Sequence, residues 1–178
     1  MLPNDLLIQA IQLAQQAHDG QVDKAGLAYI QHPLRVMHQM KTIEAKIIAI
    51  LHDTLEDTWV THQHLKALGL GIKHIDALNA LTKLAHENRF DVLKRTLVNP
   101  LACEVKRTDI YDNMNLTRLK SITKKDLQRY QQYCQIYAVL QQACEFYQRI
   151  NAQHINTTIG RNRQRLTALA VQLYTKLM

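Results

Sequence analysis

Apolar residues recur along the chain at three- and four-residue steps, and two-residue alternation is nearly absent. That period belongs to amphipathic helices and not to half-buried strands. The pattern predicts helices over residues 4–18, 33–41, 43–57, 61–69, 72–84, 89–98, 100–117, 124–148 and 162–177, with no strand between them. The expectation is an all-α fold in a single domain spanning residues 1–178, without linker or internal repeat. In the long helix, Tyr130, Tyr133, Tyr137, Leu140, Cys144 and Tyr147 follow each other at 3-4-3-4-3 spacing, a seam one turn wide. Core packing is the plain reading of that seam; a self-association face, and with it a homodimer, is the alternative. The last helix places Leu166, Leu169, Ala170, Leu173 and Leu177 on one side, behind a start rich in arginine (Arg161, Arg163, Arg165). Cations there oppose the helix dipole, and a solvated basic end fits them better than a phosphate site.

Composition narrows the class. A chain of 178 residues, 47% of them hydrophobic, is long enough for a real core, and 5 glycines and 3 prolines leave few turns between long helices. No long uncharged apolar run exists, so no membrane span is expected. The opening "MLPNDLLIQAIQLAQQAHDG" lacks a basic n-region and a small-residue cleavage site, which points to the cytoplasm. Cys103, Cys134 and Cys144 lack metal-knuckle or disulfide-framework spacing and read as buried free thiols. The net charge of +7 implies an anionic partner. No basic stripe interleaved with aromatics is present, so a small phosphorylated ligand fits that charge better than a nucleic acid.

The stretch "ILHDTLED", Ile50 to Asp57, departs from an ordinary amphipathic helix. At about 100° per residue from His52, Glu56 falls at about 40°, Asp53 at about 100° and Asp57 at about 140°, while Ile47, Ile48, Ile50, Leu51 and Leu55 occupy the opposite side. Ala49 and Ala45, one and two turns earlier, leave room above the polar arc. A solvated face would mix lysine with glutamate; here the i,i+4 pair Asp53/Asp57 is like-charged and destabilising by itself. A cation would neutralise it. Two other segments supply further donors. His32 precedes Pro33, which suits the first turn of a helix and puts His32 at the N-cap, pointing outward. In "VKRTDIYDNMNL", Asp109 and Asn113 share a helix face, with Lys106 one turn before. Two histidines and two aspartates make a mixed nitrogen and oxygen set suited to Mn²⁺, Fe²⁺ or Mg²⁺ more than to structural zinc. Taken singly, each has a plainer role: His32 as a capping histidine, His52 and Asp53 as a buried polar pair, Asp109 as the partner of Lys106. Tyr29 reads as packing. His18, His38, His62, His64, His74, His86 and His154 read as structural or exposed, with His62-x-His64 able to take stray metal.

The segments "AHDGQVDKAGLAYIQHPLRV", "LHDTLEDT" and "VKRTDIYDNMNL" together resemble the HD-domain metal-dependent phosphohydrolases, and more narrowly their alarmone-hydrolase branch: the small alarmone hydrolases and the hydrolase domain of the Rel/SpoT enzymes. The match covers residues of about 14–120 and leaves 121–178, the long helix and the C-terminal helix, outside it. The resemblance implies an HD-type helical bundle around one Mn²⁺, with His32, His52, Asp53 and Asp109 as ligands. It implies that Glu56 and Asp57 act on the attacking water, that Lys24 lies near the substrate's phosphates and that Asn113 helps hold the nucleotide sugar. Lys106 would offset phosphate charge beside Lys24. The implied activity is 3′-pyrophosphohydrolysis of (p)ppGpp-like or (p)ppApp-like alarmones in the stringent response. The alternatives are another HD phosphohydrolase cutting a nucleotide at its 5′ side and a nucleotide sensor without turnover. With no synthetase segment, alarmone synthesis is not expected. Two positions depart from the bifunctional and animal enzymes, which usually carry arginine where this chain has Asp23 and again near Asn115. Asp23 cannot stack on a purine; a carboxylate there would instead accept from an amino group of adenine or guanine.

Overall fold

The structure is a computed structural model that describes residues 3–152 and Ala168. Helices account for nearly all of its regular structure: α1 (Pro3–Ala17), α2 (Gln31–His38), α3 (Ile43–Leu51), α4 (Thr54–Asp57), α5 (His62–Ala67), α6 (Ile72–Leu81), α7 (Arg89–Leu97), α8 (Pro100–Asn113) and α9 (Lys124–Ala152). Among the described residues the only β pairing is one isolated bridge, Val22 with Ala28. The all-α expectation therefore holds. The expected helix over 162–177, with its three arginines and its leucine face, and His154 lie outside the described residues.

Several starts follow from local chemistry. Thr42 caps α3 by accepting from the Ala45 N–H at 3.1 Å. Asn88 accepts from the Phe90 and Asp91 amides ahead of α7, and Asn99 accepts from Ala102 ahead of α8, whose first residue is Pro100. In each case a side-chain oxygen satisfies an amide that the helix cannot.

Two apolar clusters meet along α8. In the first, α3 runs between α1, α2, α6 and α8, with Ile47, Ile48, Ile50 and Leu51 fully buried. Ala102 and Val105 of α8 join this cluster. In the second, Cys103 and Ile110 of α8 pack with Leu93 and Leu97 of α7 and with Ile136, Val139 and Leu140 of α9. One helix thus serves both cores, which fixes the height and rotation of Asp109. The tyrosine seam of α9 belongs to the second core: Leu140 and Cys144 are buried, Tyr133, Tyr137 and Tyr147 pack on it, and Tyr130 stays exposed. Cys103 and Cys144 are buried free thiols as expected, whereas Cys134 is half-buried. No helix of the described residues is long and apolar enough to cross a membrane.

Because Ile48 is fully buried at the centre of the first core, Ile48→Ala should lower unfolding free energy by about 2–5 kcal/mol through lost transfer energy and a residual cavity. Urea denaturation followed by circular dichroism measures it; a loss below about 1 kcal/mol would mean that the site collapses freely.

Of the boundaries that differ from the periodicity, two shape the site. The expected helix 43–57 breaks: α3 ends at Leu51, His52 is its C-cap, and Asp53, with φ −98° and ψ −6°, leads into the short α4. Thr54 explains part of this, since its hydroxyl donates to the Leu51 carbonyl at 2.8 Å, offering the backbone an alternative to the regular ladder. The expected helix 100–117 stops at Asn113, and a 3-10 turn over Leu116–Arg118 follows, with Asn115 accepting from the Thr117 amide.

Candidate active site

The loop between α1 and α2 builds one wall. The Asp23 amide donates to Leu27 O at 2.8 Å and the Tyr29 amide to Gln21 O at 2.9 Å. Gly26, at φ +83°, makes the reversal that L side chains rarely adopt. Asp23 Oδ1 accepts from the Ala25 and Leu27 amides at 2.9 and 3.0 Å. The loop holds Tyr29 with its hydroxyl 2.6 Å from Asp53 Oδ2, to which it donates. Tyr29 is therefore a polar contact of the site as well as a packing residue, which corrects the sequence reading.

His32 also differs from expectation. It is the second residue of α2, with Ile30 at the N-cap, and it is buried, pointing inward. Pro33 beside it is buried too. The His32 Nε2 lies 3.1 Å from Asp109 Oδ1 and 3.7 Å from Asp53 Oδ2. The break after α3 delivers His52. Its Nδ1–H donates to the Ala49 carbonyl at 2.7 Å, leaving Nε2 directed at Asp53 Oδ2, 3.0 Å away, and Asp109 Oδ1, 3.7 Å away. Neither contact has hydrogen-bond geometry, so this buried nitrogen has no hydrogen-bond partner. Asp109 is buried in turn, with Lys106 Nζ at 2.9 Å from Oδ2 and the Asn113 amide donating to Oδ1 at 2.6 Å.

Four residues from three segments thus converge. His32, His52 and Asp109 each offer a donor atom, all within 4.8 Å of one another, and could hold one metal ion. Asp53 stands at the rim of this group. The donor set fits a divalent cation on two grounds: it is mixed imidazole and carboxylate, and it includes a buried nitrogen that hydrogen-bonds to nothing. The electrostatics agree. Burial would lower the His52 pKa, but Asp53 and Asp109 outweigh it and push it up to about 10. Burial would raise that of Asp109, but Lys106, His32 and His52 hold the carboxyl well below the usual range. The cluster already gathers positive charge around its carboxylates.

Glu56 and Asp57, both exposed, line the adjoining cavity of about 290 Å³ together with Tyr29, Lys83, Lys106 and Asn113. Glu56 Oε2 accepts from the Lys83 amide at 2.8 Å. Burial, then the neighbouring Asp53 and Glu56 charges, push the Asp57 carboxyl up. A second cavity of about 370 Å³ shares Tyr29, Arg89, Asn113 and Tyr133 with the first and adds Lys24, Arg118 and Arg129. Lys24 is exposed, 3.6 Å from Asp126. Of the residues expected at the site, His52 lines neither cavity; Asp53, Glu56, Asp57, Lys106, Asp109 and Asn113 line the first, and Lys24, His32 and Asn113 line the second. Asp23 also lies there, but both its oxygens are engaged: Arg118 Nη1 donates to Oδ2 at 3.1 Å. The sequence reading took Asp23 as a carboxylate beside the base; the fold adds three donors to it, Arg118 and the Ala25 and Leu27 amides.

Comparison with solved structures gives the fold. A metazoan ortholog of SpoT, described as hydrolysing ppGpp, superposes with a TM-score of 0.65 over 84% of this chain and 98% of its own, at 19% identity. The chain therefore has the same all-α fold as that protein. Sequence comparison finds relatives over part of the chain. A guanosine-3′,5′-bis(diphosphate) 3′-pyrophosphohydrolase of Aquifex aeolicus is 29% identical over 139 residues, 68% of this chain and 20% of its own length. The bifunctional (p)ppGpp synthase/hydrolase SpoT of Escherichia coli is 35% identical over 97 residues, and a GTP pyrophosphokinase of Myxococcus xanthus 36% over 87. These cover 49% and 46% of this chain but 14% and 12% of those proteins. The chain thus spans a fifth or less of the curated relatives named here. No protein-family model matches it.

Sequence reasoning missed Asp112. Its Oδ2 lies 2.7 Å from His32 Nδ1, and Arg35 donates to both of its oxygens. The only signal was its place one residue before Asn113 on the Asp109 helix. His18, read as structural or exposed, is buried, with Nδ1 2.7 Å from Gln21 Oε1 and its ring against Tyr29.

Proposed function

We propose that the chain is a metal-dependent 3′-pyrophosphohydrolase of alarmone nucleotides, cutting the 3′-diphosphate from a (p)ppGpp-like or (p)ppApp-like substrate. One observation carries this reading: a buried His/Asp donor cluster with an orphaned His52 Nε2 opens onto a cavity walled by Glu56 and Asp57. His32, His52, Asp53 and Asp109 would hold the cation, with Mn²⁺ the reading for its identity. When bound, it supplies Lewis-acid polarisation of the diphosphate and makes nearby water more acidic.

The chain's own residues do the rest. Glu56 and Asp57 orient a water and take its proton. Its oxygen bonds to phosphorus, the bond from phosphorus to the ribose 3′-oxygen breaks, and that oxygen regains a proton. Pyrophosphate and the 5′-phosphorylated nucleoside leave. Lys106, fixed against Asp109, and Lys24, at the mouth of the second cavity, offset phosphate charge. Asn113 lines both cavities and would help hold the ribose. Purified protein incubated with Mn²⁺ and ppGpp should release pyrophosphate. Release of inorganic phosphate from the 5′ side, or no turnover with any member of a panel of ppGpp, ppApp, NADPH, NTPs and NMPs, would defeat the reading.

The second cavity bears on the base. Its walls offer Arg118, Arg129 and the Tyr133 ring, while the Asp23 carboxylate is engaged by Arg118 and the loop amides. Ring faces and guanidinium planes grip any purine, whereas discrimination needs edge contacts. The kcat/KM values for ppGpp and ppApp should therefore differ by less than about 100-fold, roughly 2.7 kcal/mol. A larger preference, measured under identical Mn²⁺ and salt, would reveal an edge-reading group.

A further inference from the structure

The two histidines of the cluster are fixed by different means. His52 Nδ1–H is tied to a backbone carbonyl, that of Ala49. His32 Nδ1 faces a carboxylate, Asp112 Oδ2, at 2.7 Å. An imidazole that gives its Nδ1 proton to a carboxylate presents a lone pair at Nε2, and the carboxylate makes that nitrogen a better donor. The His32 Nε2 is the atom that faces Asp109 and Asp53.

Asp112 is itself held. Arg35 Nε donates to Oδ1 at 2.8 Å and Arg35 Nη2 to Oδ2 at 2.9 Å, a bidentate fork. Arg35 lies three residues after His32 on α2, so one helix carries both the histidine and the arginine that aims its partner. From the other side, Arg118 Nη2 donates to the Asp112 backbone carbonyl at 3.2 Å, while its Nη1 reaches Asp23. Asp112 is 8% exposed. Burial would raise its pKa, but the hydrogen bonds from His32 and Arg35 outweigh it and hold the carboxyl well below the usual range.

We infer that Asp112, backed by Arg35, is a positioning residue that sets the ring orientation and tautomer of His32, so that Nε2 is presented to a divalent cation. The inference rests on the metal reading above. A salt bridge that merely ties α8 to α2 would account for Arg35 and Asp112, but not for the third bond to the imidazole.

Isothermal titration with Mn²⁺ alone, on the full chain, separates the cases. Asp112→Ala removes the acceptor and should weaken Mn²⁺ binding by about 10- to 100-fold. Asp112→Asn keeps an amide oxygen that can still accept from Nδ1 and should recover much of that loss. It still breaks the charged pair with Arg35, so a purely structural role would penalise both variants alike. The tautomer gives a readout that needs no variant: in wild type loaded with Zn²⁺ as a diamagnetic probe, long-range ¹H–¹⁵N correlations should show the His32 proton on Nδ1. A proton on Nε2, or Mn²⁺ affinity of both variants within twofold of wild type, would overturn the inference while leaving the metal site standing. A wild type that binds no Mn²⁺ would overturn the metal reading and the inference with it.

Discussion

His52→Ala should abolish Mn²⁺ binding and turnover together while leaving a folded protein. The imidazole is buried at the break between α3 and α4, and its buried Nε2 makes no hydrogen bond. No other side chain can take its place, because Asp53 is held by Tyr29, and Asp109 by Lys106 and Asn113. Removing one ligand of four leaves two carboxylates facing each other across an enlarged gap, with less positive charge between them. Mn²⁺ affinity should fall by at least about 100-fold, beyond what loss of an outer-shell partner costs. The lost bond to Ala49 O and the space left behind should lower stability by about 1–3 kcal/mol, which a chain with two apolar cores should survive. Elemental analysis after dialysis against Mn²⁺ measures occupancy, and a thermal melt shows whether the variant is folded. Full occupancy in folded His52→Ala would remove His52 from the cation site.

Helix existence was legible in the sequence because burial of one face imposes a 3.6-residue period wherever a helix packs on a core. The His/Asp cluster was legible for a related reason: costly polar groups at helical spacing beside an apolar face need compensation, and His52, Asp53 and Asp109 declare that in their own segments. What stayed hidden depends on contacts between distant parts of the chain. Tyr29 reaches Asp53 across 24 positions, Asp112 reaches His32 across 80, and Arg118 reaches Asp23 across 95. No local pattern encodes such pairs. Asp23 shows the consequence: read alone, it is a free carboxylate beside a purine, whereas the fold gives it an arginine from the 3-10 turn after α8 and two loop amides. The helix break at His52 escaped for a different reason. Thr54 in mid-helix is compatible with a continuous pattern, and only its bond to Leu51 O shows that the backbone yields there.

Glu56→Gln should retain Mn²⁺ and lose turnover by about 10²–10⁴-fold, the usual worth of a positioned acid–base group. Glu56 lies on α4, one turn beyond Asp53, and it is exposed to the cavity and not buried in the donor cluster. Its one hydrogen bond within the fold, from the Lys83 amide, survives the change, because glutamine still offers a carbonyl oxygen as acceptor. The variant therefore removes a charge and a proton acceptor while keeping shape and anchorage. Mn²⁺ affinity should stay within about threefold of wild type, since no proposed ligand is touched. The competing candidate is Asp57, whose carboxyl is pushed up by burial and by Asp53 and Glu56, closer to the working range of a general base. Glutamine at 56 takes away one of those like charges, so the Asp57 carboxyl should also become easier to ionise. Were Asp57 the sole base, Glu56→Gln would keep turnover within a few-fold and shift the acid limb of the pH–rate profile to lower pH. Single-turnover rates with saturating Mn²⁺ and ppGpp across pH 5–9 distinguish the two: a uniform drop across the profile assigns the water to Glu56, and a displaced limb with little loss at its plateau assigns it to Asp57.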